Sequence, residues 1–233
     1  MPAIQLDHVQ KIYREKTYDT IAIRDISLSI EQGEFVFFVG SRGAGKSTLL
    51  DIIAGVQRPD EGAVFLDGVD INRLSRPERR KQCACISRLD PSGELDRTVS
   101  VYDNMAEIRR IFLHKKRILD KALADKALAI VGMPESGLRY PRDLTPSECR
   151  RVQIARAILN SPAILMLDDF TIHMDEDTIW DMLHLLNELN RRGTTVLMAT
   201  NSSYVVNIMR RRVVTLADGQ IVGDVRRGRY GFI

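Results

Sequence analysis

The sequence predicts an α/β fold with a mostly parallel core sheet, an antiparallel β subdomain and a helical subdomain. Three observations carry that expectation. Phe35 to Val39 is apolar throughout and runs at once into a glycine-rich loop, followed by Leu49, Leu50, Ile52, Ile53 and Ala54 at helical spacing, which reads as strand, loop, helix. Ile164 to Leu167 and Thr195 to Ala199 are short, largely apolar and bounded by polar residues, as strands covered on both faces require. Between them and the first half lies Val101 to Leu159, where Ala, Leu and Ile recur at helical intervals and strand signals are scarce.

The remaining elements follow in order. Ile21 to Ile30 alternates apolar and polar residues, the mark of a strand buried on one face. Val64 to Leu66 and Val69 to Ile71 flank Asp67-Gly68, a pair suited to a tight hairpin because glycine accepts positive φ. They form the antiparallel layer. Ile118 to Val131 is the clearest helix of the middle region, and Val213 to Val225 repeats the strand, Asp-Gly, strand pattern around Asp218-Gly219. Trp180, among Ile179, Met182 and Leu183 on a helical segment, is expected in the core.

Composition bounds the function. The 233 residues suffice for one principal domain with a small appended subdomain. The 34 Lys and Arg against 31 Asp and Glu leave a net charge of +3, too small to argue for a nucleic-acid partner, so none is expected. The runs Arg210 to Arg212 and Arg226 to Arg229 read as solvated surface. No apolar stretch approaches the roughly 20 residues of a spanning helix, and Met1 to Gln10 lacks the apolar run of a signal peptide, so a cytoplasmic location is expected unless the chain is tethered. Cys83, Cys85 and Cys149 form no even framework and no zinc spacing, and read as buried reduced thiols. His8, His114, His173 and His184 show no ligand spacing.

One stretch names its chemistry. Gly40-Ser41-Arg42-Gly43-Ala44-Gly45-Lys46-Ser47 matches the spacing of glycine, four residues, glycine, lysine and a hydroxyl, with Thr48 next. Glycines let backbone N–H groups converge on phosphate oxygens, and the following helix offers its positive end. Lys46 reaches the β and γ phosphates, and Ser47 ligates magnesium. The expected cofactors are ATP and Mg2+. A second oxygen ligand is expected at the end of a neighbouring buried strand, and Asp168 supplies it; Asp169 then lies beside the γ-phosphate, where an attacking water must lose a proton.

With these motifs the chain resembles the ABC ATPases, and among them the bacterial cell-division ATPases of the FtsE type, over nearly its whole length. The resemblance rests also on Asp96-Arg-Thr-Val99, Val101-Tyr-Asp-Asn104, Val152-Gln-Ile-Ala-Arg-Ala157, Asn190-Arg-Arg-Gly-Thr-Thr-Val-Leu-Met-Ala-Thr200 and Arg227-Gly-Arg-Tyr-Gly231. It implies a single domain over residues 1–233: residues 1–90 and 160–233 form the nucleotide-binding core with its β subdomain, and 91–159 the helical subdomain. It implies a homodimer, or a heterodimer with an ABC ATPase paralogue, docked on the inner face of the plasma membrane under an FtsX-like integral membrane protein. Tyr13 matches the aromatic that stacks on adenine. The alternatives are the nucleotide-binding subunit of a lipoprotein or peptide transporter, and a regulatory module that binds ATP with almost no hydrolysis.

The chain departs from that family at four places. Asp169 stands where a glutamate is usual, and Asn201 where a histidine contacts the γ-phosphate; asparagine donates a hydrogen bond but carries no proton. Ser87 replaces the glutamine that links magnesium to the membrane partner. The signature Leu-Ser-Gly-Gly-Glu-Gln reads Leu144-Thr145-Pro146-Ser147-Glu148-Cys149, which keeps a hydroxyl and Glu148 but loses both glycines. Thr145, Pro146 and Glu148 still read as a capped helix start. The expectation is firm nucleotide binding with slow turnover.

Overall fold

The computed structural model describes residues 1–14, 18–86, 95–106, 120–172 and 174–231. Among the described residues, ten strands form two sheets. β1 (Ile4–Arg14), β2 (Asp19–Ile30), β4 (Glu61–Leu66) and β5 (Val69–Asp70) make an antiparallel sheet in the order β2-β1-β4-β5. β3 (Phe35–Val39), β6 (Cys83–Ile86), β7 (Ile164–Asp168), β8 (Thr195–Ala199), β9 (Arg212–Ala217) and β10 (Gln220–Val225) make the second sheet, in the order β10-β9-β3-β8-β7-β6. Its strands pair in parallel except for the β9–β10 hairpin.

β3, β7 and β8 are buried at all five positions, and all three lie inside the sheet. Their side chains alternate between two apolar layers. Phe35, Phe37, Leu165, Leu167, Val196 and Met198 face one cluster; Val36, Phe38, Ile164, Met166, Leu197 and Ala199 face the other. Each fully buried large side chain contributes about 1.5–3 kcal/mol to the folded state, so loss of one from either layer is strongly destabilising.

The helices are α1 (Lys46–Ile53), α2 (Arg76–Gln82), α3 (Lys121–Ile130), α4 (Pro146–Ile158), α5 (Glu176–Arg191) and α6 (Ser203–Met209). Residues 101–106 are also helical. α1 packs with the antiparallel sheet on one face of the parallel sheet, while α3, α4, α5 and α6 cover the other. Most starts are capped by side chains: Ser75 and Glu78 close a capping box on α2, and Asp120, Asp175 and Ser202 accept first-turn amides of α3, α5 and α6.

Two family-like stretches prove to be structural joints. Asn104, fully buried, accepts from the Asp96 amide at 2.7 Å and donates to the Asp96 and Ser100 carbonyls, which folds the segment before residues 101–106 onto them. Asn190 donates to the Gly33 and Thr194 carbonyls at 2.8 and 2.9 Å, tying the end of α5 to the turn before β3. A buried polar side chain is tolerated because its hydrogen bonds are made.

Two expectations are corrected. Trp180 is 41% exposed and stacks on His184, with ring centroids 5.5 Å apart. Ile179, Met182, Leu183 and Leu186 take the buried face of α5, and Trp180 sits one residue, about 100°, past Ile179 and off that stripe. Arg212 is not solvated surface: its side chain is only 15% exposed and pairs with Glu34 at 2.7 Å and Asp224 at 2.8 Å, fastening β9 to β10 and to the turn before β3. The thiol expectation stands for Cys83, whose burial pushes it up to about 12 and keeps it protonated. Cys85 and Cys149 are half-buried and reduced.

Candidate functional site

The loop between β3 and α1 adopts a shape that its glycines permit. Gly40 has φ 146° and a Cβ there would lie 2.1 Å from the Leu216 carbonyl oxygen; Gly45 has φ 101° and its Cβ would lie 2.5 Å from that of Ala22. Neither position accepts a side chain without moving backbone. Lys46 curls back so that its Nζ donates to the Gly40 and Ser41 carbonyls at 2.8 and 2.9 Å. The lysine is 7% exposed; its burial lowers its proton affinity, and the charges of Asp169 and Asp168 oppose that shift. Among these helix starts, that of α1 differs: Gly45 at its N-cap offers no side-chain acceptor and the first turn holds no acidic residue. Its first-turn amides are left to whatever anion approaches.

These groups open on a cleft of about 510 Å³ lined by Tyr13, the residues Thr20 to Ala22, Arg42, Gly43, Gly45 to Thr48, Asp168, Asp169 and Asn201. Gly40, Ser41 and Ala44 do not line it: Gly40 and Ser41 present their carbonyls to Lys46, and Ala44, 2% exposed, donates its N–H to the Ser41 carbonyl. β7 ends on Asp168, which is 6% exposed. Asp169 follows in the left-handed region at φ 48°, held by its amide to the Ala199 carbonyl at 3.0 Å and by the Ile172 amide to its own carbonyl at 3.2 Å. Aspartate tolerates that backbone better than most residues. Asn201, exposed, stands one residue past Thr200, whose amide bonds the Phe38 carbonyl at 3.0 Å.

The donor set fits a magnesium-bound nucleoside triphosphate. An uncapped helix start, a glycine cradle and a lysine suit the phosphates; a hydroxyl at Ser47 and a carboxylate at Asp168 suit a hard divalent cation; a half-exposed aromatic at Tyr13 suits a base.

The signature residues lie outside this cleft. Thr145 accepts the Glu148 amide at 3.2 Å, and Glu148 accepts the Thr145 amide at 2.8 Å, closing a capping box on α4 with Pro146 in its first turn. The Thr145 amide, then Arg139 at 2.9 Å, holds the Glu148 carboxyl below the usual glutamate range. Ser147 is half-buried in the same turn. One chain therefore does not bring Thr145, Ser147 and Glu148 together with its own phosphate loop. Ser87, His114 and His173 lie outside the described residues.

Sequence reasoning missed Thr20, Ile21 and Ala22, which reach the cleft only because β2 pairs with β1, and Gln57, which accepts from the Tyr13 hydroxyl at 2.8 Å. Contacts so distant in sequence leave no local pattern to read.

The protein-family profile for the ABC transporter domain matches residues 23–172. The cell division ATP-binding protein FtsE of Mycobacterium tuberculosis is 36% identical over 231 residues, covering 98% of each chain. That of Escherichia coli K12 is 36% identical over 225 residues, 95% of this chain and 98% of the relative. A dimeric bacterial ABC transporter cassette superposes with a TM-score of 0.83 at 28% identity, over 97% of this chain and 100% of that one. A dimeric ATP-binding cassette in a post-hydrolysis state bound to ADP and phosphate gives 0.82 at the same identity and coverage. Phosphate loop, parallel sheet and full-length likeness agree: the chain belongs to the ABC transporter ATPase family, in its FtsE-like branch.

Proposed function

We propose that this chain is the ATP-binding subunit of a membrane complex of the FtsEX kind in bacterial cell division, with MgATP held in the cleft between the phosphate loop and Asp168. The convergence of Lys46, Ser47, Asp168 and Tyr13 on one cleft is the observation that carries the reading. Lys46 and the first-turn amides of α1 would bind and orient the phosphates, Ser47 and Asp168 would hold Mg2+, and Tyr13 would stack on adenine. Bound Mg2+ supplies positive charge that stabilises negative charge developing on phosphate. Asp169 would accept the proton of an attacking water, and Asn201 would donate a hydrogen bond toward the γ-phosphate without exchanging a proton.

Because Thr145, Ser147 and Glu148 stand apart from this cleft, a complete site needs a second cassette facing it, either another copy of this chain or a paralogue. Dimers of the related cassettes support that assembly. No helix among the described residues is long and apolar enough to cross a membrane. Attachment to the inner face of the plasma membrane would come through an FtsX-like integral membrane partner.

Turnover is proposed to be slow. Asp169 has the shorter carboxylate, Asn201 carries no proton, and in the signature Pro146 donates no N–H while Ser147 adds bulk where a phosphate must approach. The test measures ATP affinity and phosphate release on the purified protein, alone and with its membrane partner. Tight Mg-dependent binding with slow release is the expected result. Rates at ordinary ABC levels would overturn the slow-turnover reading, and absence of ATP binding would overturn the site.

A further inference from the structure

Tyr13 is not a free platform. Its hydroxyl lies 2.8 Å from Gln57 Oε1 and 3.4 Å from Thr48 Oγ1, and the Lys11 ammonium lies 5.9 Å from its ring centroid. Gln57 is itself fixed: its amide N–H and that of Val56 both reach the Asp51 carbonyl, and its side-chain Nε2 donates to Asp51 Oδ2 at 3.3 Å. The chemistry of these partners sets the direction of the chain. A carboxylate only accepts, so the Gln57 NH2 group must face Asp51 and its carbonyl oxygen must face Tyr13. The tyrosine hydroxyl then has to donate to Gln57, which leaves its oxygen able to accept the longer contact from Thr48 in the first turn of α1.

Asp51 and Thr48 both belong to α1, the helix that begins at the phosphate loop, and Gln57 lies four residues past its end at Ile53. Tyr13 comes from the end of β1, on the other sheet. The 2.8 Å bond thus crosses from the phosphate-binding element to the aromatic side chain that lines the same cleft. A tyrosine near the end of a strand has several rotamers open to it; a directed hydrogen bond to a fixed amide oxygen selects one.

We propose that Gln57 is a positioning residue for the nucleotide base: through the Tyr13 hydroxyl it holds the ring at the attitude in which it stacks, and it registers that ring against the phosphate loop. This rests on the nucleotide reading of the cleft. It assigns Gln57 no contact with the phosphates and no part in the reaction.

The experiment compares two ligands, MgATP and Mg-tripolyphosphate, which lacks base and ribose, by titration calorimetry on the whole chain and on Gln57→Leu, Tyr13→Phe and the double variant. Loss of one neutral hydrogen bond corresponds to about three- to tenfold in affinity. Gln57→Leu is expected to weaken MgATP by that factor and to leave tripolyphosphate unchanged. Tyr13→Phe, which keeps the ring and removes the hydroxyl, should show the same loss, and the double variant no further loss. Wild-type affinity for MgATP in Gln57→Leu, or a proportional loss for both ligands, would overturn the positioning role while leaving the cleft intact. A parent chain that binds tripolyphosphate but gains nothing from the base would overturn it as well. Failure of the parent to bind either ligand would overturn the cleft assignment and this role with it.

Discussion

Asp169→Glu is the substitution that separates nucleotide binding from turnover. The carboxylate of Asp169 stops one methylene, about 1.5 Å, short of where a glutamate would carry it. Since a misplacement of about 1 Å of a reacting group alters rates by about a hundredfold, restoring the reach is worth between about tenfold and a hundredfold in turnover. The backbone opposes part of that gain. At φ 48° the residue is left-handed, a conformation that costs most L-residues about 1–2 kcal/mol and that aspartate meets more easily than glutamate. Its amide bond to Ala199 holds the backbone whichever side chain is present, so the variant should fold with a Tm lower by about 2–4 °C, the shift that about 1 kcal/mol produces in a chain of this size. The assay is phosphate release at saturating MgATP, paired with a melting curve. An Asp169→Glu protein that binds ATP as the parent does, yet turns over within about twofold of it, would refute the reach argument and move the limitation to Asn201 or to the Thr145-Pro146-Ser147 turn.

Three further outcomes are expected. Lys46→Ala should abolish MgATP binding in calorimetry, and because Nζ also bonds the Gly40 and Ser41 carbonyls it should loosen the loop itself, seen as faster amide exchange there. Gly45→Ala should lower stability by about 1–3 kcal/mol in urea unfolding and weaken ATP, since its Cβ would press on the Ala22 carbonyl from 2.5 Å. Glu148 is held below its ordinary value of 4.5, so its contribution to stability is complete above that value and is lost as pH falls through the depressed folded value; Glu148→Gln should flatten the pH dependence of the urea midpoint below about pH 4.5 and leave it unchanged in slope above. An unchanged acid slope in Glu148→Gln would show that the capping box is not held by the charged form.

What was legible in the sequence was what is local. The phosphate loop declares itself because strand, glycines, lysine and helix are contiguous, and the capping box of Thr145 and Glu148 because its bonds span three residues. β3, β7 and β8 were readable as runs buried on both faces. Trp180 misled because hydrophobicity alone places it with its apolar neighbours, whereas the angle around α5 puts it past their edge. Arg212 misled because a run of arginines looks solvated until the strands that bring Glu34 and Asp224 beside it are paired. Gln57 was out of reach for the same reason: it meets Tyr13 across 44 residues of chain. The separation of the signature turn from the phosphate loop likewise becomes visible only once the helices are packed.

The sheet has a consequence for how such a protein can change. Lys46 follows β3, Asp169 follows β7 and Asn201 follows β8, three strands adjacent in the sheet. The bonds that fix the last two positions run from main chain to main chain: Asp169 to Ala199, and Thr200 beside Asn201 to Phe38. Side-chain identity at 169 and 201 is therefore uncoupled from the stitching that holds the strand ends in register. Substitutions there are expected to change the chemistry at the strand ends at little cost to the scaffold, about 1 kcal/mol at the left-handed position 169, so that the fold can persist while these side chains vary.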